Sequence, residues 1–193
     1  MRHPTTPGSR IRGLFCIAAL VAGCATPQDT IREPTARIEA PLPRSGERWI
    51  YDRINPFNRT VVSALTEDAA SEPIAHIPFP LAPGMQWSEQ IVVPEAFGPP
   101  RVQRISGRAL GWERVRTPAG EFLALKVQRE MGLGDADHQW TQTHRSDVIW
   151  YAPEVRRWVR IERRDERYAR SGRNGRHVEH DWIIWQLKEF VPG

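Results

Sequence analysis

The chain has 193 residues, 40% of them apolar and 26% charged, which fits one ordinary folded domain with extra segments and excludes wholesale disorder. No apolar run reaches the roughly 18 residues of a membrane-spanning helix, and two cysteines build neither a disulfide framework nor a cysteine-based zinc site. Three arginines and no acid lie in the first 23 residues, so most of the formal +4 charge sits there; the remainder lacks the basic surplus of a nucleic-acid-binding protein.

The chain opens with Arg2, Arg10 and Arg12, followed by the apolar stretch Leu14 to Ala22, closed by Gly23-Cys24. As a helix that stretch would rise only about 13 Å. A hydrocarbon core is roughly 30 Å thick, so residues 1–23 read as an export signal rather than a permanent span. The end of this segment, Leu20-Val21-Ala22-Gly23-Cys24, closely resembles the bacterial lipobox, with a small pair ahead of the cysteine. The resemblance implies that the Cys24 thiol receives a diacylglycerol, that cleavage makes Cys24 the new N-terminus, and that a third acyl chain can follow. Each chain contributes about 0.8 kcal/mol per buried methylene, so two or more hold a protein on a membrane stably. Ala25 is not the aspartate that retains many lipoproteins at the inner membrane. By analogy with Gram-negative sorting, the expected location is the periplasmic leaflet of the outer membrane. The plainer alternative is an ordinary secretory signal in which Cys24 is incidental. With Cys16 removed and Cys24 acylated, no free thiol would remain, which suits an oxidising periplasm.

Residues 25–45 hold Pro27, Pro34, Pro41 and Pro43 and no apolar periodicity. Residues 24–45 therefore read as a lipidated N-terminus and disordered Pro-rich tether, ahead of a folded domain over 46–193. Within that domain the signal is all-β: runs of Val, Ile, Trp, Tyr and Phe between Pro/Gly turns. Strands are predicted over 47–54, 60–66, 85–93, 102–116, 121–131, 138–151, 155–165 and 178–190. Thr117-Pro118-Ala119-Gly120 predicts a hairpin turn, Ala152-Pro153-Glu154 a second, and residues 169–176 an exposed hairpin tip. Alternation puts Val155, Arg157, Val159 and Ile161 on one face and Arg156, Trp158 and Arg160 on the other. In the same way Leu123, Leu125 and Val127 oppose Phe122 and Ala124. The last strand is apolar on both faces, with Trp182 and Ile184 against Ile183, Trp185 and Leu187. Such a strand is expected to be central, or to face a partly enclosed cavity. Short connections between antiparallel strands predict a strongly curved antiparallel sheet or open half-barrel.

Three segments are also familiar together: Gly46-Glu47-Arg48-Trp49-Ile50-Tyr51, Pro118-Ala119-Gly120-Glu121-Phe122-Leu123-Ala124, and Trp150-Tyr151-Ala152-Pro153-Glu154-Val155-Arg156-Arg157-Trp158-Val159. They resemble a loosely defined group of exported bacterial domains of unknown function. In that group a PAG-F-A hairpin precedes a W-Y-AP-E-V-x-R strand pair with a trailing acid, here Glu162. The run from Phe79-Pro80-Leu81 to Gly84 and Trp87 fits the same group, while Arg156 stands where its members often have glycine. The group is similar in shape to the half-barrel of periplasmic lipoprotein carriers, which implies an open curved sheet and no particular chemistry.

All eight tryptophans fall in the folded domain. They serve either cross-strand core packing or an apolar trough for an acyl chain or peptide, with Trp87, Trp112, Trp150, Trp182 and Trp185 as the lining candidates. Trp158, between Arg156 and Arg160, reads as an outer-face guanidinium–ring stack. Residues 156–176 hold nine arginines against Glu162, Asp165 and Glu166. Arg163, Arg164, Arg167 and Arg170 are the candidates for an anionic partner such as a lipid phosphate or an acidic protein. The alternative is a solvated hairpin in a chain whose lysines occur only at 126 and 188. No metal site is expected from His177-x-Glu179-His180-Asp181 or Asp135-x-Asp137-His138, because residues 177 and 180 of a strand point to opposite faces. No cofactor is expected. No G-x-S-x-G, H-E-x-x-H or cysteine–histidine pair offers a catalytic residue, which leaves paired carboxylates as the one enzymatic alternative. The leading expectation is a non-catalytic lipoprotein whose curved sheet binds an apolar or amphipathic ligand, or a partner strand, beside the membrane. The second is a structural accessory that joins an envelope assembly through the arginine-rich hairpin; the third is a hydrolase. Expected partners are the bilayer and a lipid or envelope protein, not nucleic acid.

Overall fold

The computed structural model describes residues 37–71, 77–93, 100–132, 140–169 and 177–193. They form β1 (Arg48–Ile54), β2 (Val61–Asp68), β3 (Gln86–Val93), β4 (Arg101–Thr117), β5 (Gly120–Gly132), β6 (Trp140–Ala152), β7 (Arg157–Ala169) and β8 (His177–Val191), with one 3-10 turn at Pro153–Val155. The eight strands make a single sheet in the order β2-β1-β8-β7-β6-β5-β4-β3, antiparallel throughout. The expected all-β class and curved antiparallel architecture are what the chain adopts. The sheet is not closed, and β2 and β3 are its two edges. The last strand is central, as its two apolar faces require, because β1 returns to pair with β8.

Register divides the inner face into rows. Val127, Ile149 and Ile161 lie opposite one another and are fully buried, with Trp185 next across β8. Burying a side chain of this size contributes about 1.5–3 kcal/mol. Tyr51 and Leu187 extend the apolar region on β1 and β8. Part of the β2–β3 connection supplies a further layer. Ile77 and Leu81 are buried, and Phe79 meets Tyr151 edge-on with ring centroids 5.3 Å apart. Leu81 in turn exchanges backbone hydrogen bonds with Ile38 at 2.7 and 2.9 Å. Ile38 is thus docked on the domain although it lies inside the stretch expected to be tether.

The β4–β5 hairpin reaches back across the sheet to β8. Its turn closes at Thr117 and Gly120 as expected, Gly120 taking φ of +137°. The Ala119 N–H donates to the Leu187 carbonyl at 3.2 Å, across three strands. Val115, Phe122, Ala124, Leu125 and Val127 are all buried, so the alternation expected over 121–127 holds in register while both of its faces are covered.

A bulge corrects the phase expected over 155–161. Trp150 opposes Arg160 and Tyr151 opposes Trp158, leaving Val159 as the extra residue. Trp158 is therefore turned into the core, where it stacks on Tyr51 with centroids 3.7 Å apart. It is not the outer-face arginine stack that simple alternation predicts. The Tyr51 hydroxyl donates to the Trp158 carbonyl at 3.0 Å. Burial pushes the Tyr51 phenol well above its ordinary range, Glu67's charge adds to the rise, and Arg157 opposes it.

Arg156 has φ 54° and ψ 24°, the left-handed conformation that glycine takes without cost. Its guanidinium pairs with the buried carboxylate of Glu47. Arg157 ties β7 to the end of β2: it donates to Glu67 at 2.9 Å and to the Ser71 carbonyl at 2.9 Å, and lies 4.7 Å over the Trp49 ring. Elsewhere, Trp87 of β3 lies over Gly107 of β4, filling the place a Cβ would take. Gly107→Ala is expected to displace the ring and lower stability by about 1–3 kcal/mol, measurable by urea unfolding together with a red shift of Trp87 emission.

Candidate functional site

The five candidate tryptophans do not share a surface. By register, Trp87, Trp112 and Trp185 belong to the inner face, while Trp150 and Trp182 stand opposite Arg160 and Arg164 on the outer face. Trp150 is a braced outer-face residue. Lys126 and Arg160 lie over its ring at 5.3 and 5.5 Å, and its indole N–H donates to Glu113 at 2.8 Å. Partial burial tends to raise the Glu113 carboxyl, but hydrogen bonds from Trp150 and Lys126 outweigh it and hold the carboxyl below its ordinary value. Trp182 carries Arg164 at 4.7 Å and the edge of Phe57 at 5.8 Å. Trp185 has Arg53 at 5.9 Å.

Of the five, Trp112 reaches an apolar hollow. Ile38, Trp112, Leu123 and Pro153 line it, with the charged residues Arg37, Glu39 and Glu154 also in its wall, and its volume is about 470 Å³. Three parts of the fold make it: the segment docked on Leu81, the β4–β5 hairpin, and the turn after β6. This size falls within the range of small-ligand sites, which combine apolar walls with a few polar groups.

Away from this hollow the inner face becomes charged, a feature not expected from the sequence. The row beyond Val127 and Ile149 holds Arg129, Asp147 and Arg163 in register on β5, β6 and β7. Asp147 is fully buried, pairing with Arg129 on one side and with Arg163 at 2.9 Å on the other. Burial would raise the Asp147 carboxyl. The hydrogen bond and charge of Arg163, joined by Arg129, overcome that and hold it below the usual carboxylate range. In the next row Arg145 grips Asp165 through two bonds of 2.7 and 2.8 Å, which raises the Arg145 guanidinium.

The four candidate arginines are likewise dispersed. Arg163 is committed to Asp147, Arg167 lies 3.9 Å from Glu179, and Arg164 sits on the other face over Trp182. Arg170 lies outside the described residues, as does the hairpin tip predicted over 169–176 except for Ala169, which closes β7. Of the histidine–acid clusters, Asp135, Asp137 and His138 also lie outside them. His180 stands 3.8 Å from Glu166, and Glu179 faces Arg167 on the opposite side of β8.

Comparisons with protein-family models, with curated proteins and with solved structures find no match. What the domain does must therefore be read from its own residues.

Proposed function

We propose that this protein is a lipid-anchored, non-catalytic binding domain of the bacterial envelope. Acyl chains on Cys24 hold it at the periplasmic side of the outer membrane, and the hollow at Trp112 takes the apolar part of an amphipathic ligand. The observation that carries this reading is the position of the hollow. An apolar space bounded by Trp112 and Leu123 lies against Ile38, where the stretch leading from Cys24 meets the domain. From Cys24 to Arg37 the chain can span at most about 45 Å, which keeps the hollow near the headgroups. Asp147 is paired with Arg129 and Arg163, and a carboxyl held low is poorly suited to act as a general acid. Use of Arg163, Arg164, Arg167 and Arg170 as one anion-binding cluster is not favoured, since Arg163 and Arg164 face opposite ways.

The test uses a brominated fatty acid, whose bromine quenches tryptophans it touches. Part of the total emission should be lost in a saturable manner, and Trp112→Phe should remove most of that loss. Quenching that survives Trp112→Phe, or no quenching up to the micelle threshold, would overturn the assignment.

A further inference from the structure

An open sheet must deal with unpaired N–H and C=O groups along its edges, and natural edges are guarded by charge, proline or inward-pointing ionic groups. The β3 edge and the overhanging start of β8 are guarded. On β3, Glu89 stands opposite Ile105 on the inner face with one carboxylate oxygen buried. On β8, the stretch before Ile184 has no β1 partner and carries Glu179, His180 and Asp181. The outer edge of β2 differs. Val61-Val62-Ser63-Ala64-Leu65-Thr66 contains no charge and no proline, β1 is its one strand partner among the described residues, and Val61 and Val62 are 57% and 52% exposed. A register shift falls between Ser63 and Val61, so the regular edge is the part from Ser63 onward.

Glu67 is buried and bound by Arg157, so the exposed charges stand at the two ends of this edge: Arg59 ahead of it and Asp68 at its close. In a two-fold antiparallel pairing, the start of one strand lies beside the end of the other. Arg59 of each copy then approaches Asp68 of its mate, with an uncharged span between. A parallel pairing would instead set like charges together. We propose that β2 is the site of self-association, pairing antiparallel with β2 of a second copy of this chain to make one continuous sheet. The two-fold axis also closes the assembly, because both free β2 edges are used at once.

Sedimentation equilibrium of the full chain, with Cys16 and Cys24 changed to serine so that only protein contacts are read, tests this. A monomer–dimer equilibrium is expected. Ala64→Lys, which places a guarding charge on the edge, should leave a monomer with unchanged circular dichroism. Arg59→Asp and Asp68→Arg should each weaken the dimer at least tenfold, and the two together should restore it; this rescue separates the pairing from damage to the β2 turn. A monomer at all concentrations would overturn the proposal. So would a dimer indifferent to Ala64→Lys, or growth beyond a dimer, which would mean pairing of β2 with β3.

Discussion

Asp147→Asn should cost about 3–5 kcal/mol at neutral pH, because it leaves Arg129 and Arg163 without their shared counter-charge in the interior. Arg129 is 2% exposed and Asp147 is 0% exposed, so water cannot take over the lost role. In a chain of this size such a loss lowers the melting temperature by roughly 6–20 °C. The pH dependence distinguishes ionic pairing from packing. The folded-state pKa of Asp147 is depressed, so its contribution is complete above the unfolded value of about 3.9 and is lost as pH falls through the lower folded value. The gap between wild type and Asp147→Asn should therefore be constant from neutrality down to about pH 5 and should close in stronger acid. A gap that persists unchanged to pH 2 would show that shape, not charge, is what Asp147 supplies.

This ion network marks the boundary between what can be read from one strand and what needs its neighbours. Strand positions are legible because β-branched and aromatic runs alternate with Pro/Gly turns, and Pro118-Ala119-Gly120 sets its hairpin unaided. The central place of β8 follows from Trp182 to Leu187 being apolar on both faces. Arg129 and Asp147 also leave a local trace: each lies two residues from a fully buried aliphatic, Val127 or Ile149, and so has the inward phase. What a single strand cannot convey is that these two inward charges meet, since that depends on the register of β5 against β6. Trp158 fails for a related reason. One bulged residue at Val159 reverses the phase of everything before it, and nothing in Arg157-Trp158-Val159 announces the bulge. Residue type alone groups the tryptophans, whereas the sheet distributes them by parity, sending Trp150 and Trp182 outward and Trp112 to the hollow. Arg156 shows the opposite case. The position has the left-handed geometry of a glycine, and the pair with Glu47 is a long-range compensation invisible in the turn itself.

Cys24→Ala should move the protein from the membrane fraction to the soluble periplasm almost completely, the largest change expected of any single substitution. The folded part offers little to replace the anchor: among the described residues no helix is long and apolar enough to cross a membrane. The large exposed apolar side chains of the described residues are few: Leu42, Phe57 and Leu110, the adjacent Val61 and Val62, and Val92 opposite Val102. Two acyl chains at about 0.8 kcal/mol per methylene exceed what a few such side chains can contribute. Mass spectrometry of the N-terminal peptide supplies the chemical half of the test: Cys24 should be terminal and heavier by a diacylglycerol, with or without a further acyl chain. Three results would separate the parts of the proposal. An unmodified Cys24 would remove the anchor. Retention of Cys24→Ala on the membrane would place the attachment elsewhere. Release of the variant with the fatty-acid quenching at Trp112 intact would show that anchoring and ligand binding are independent properties of one chain.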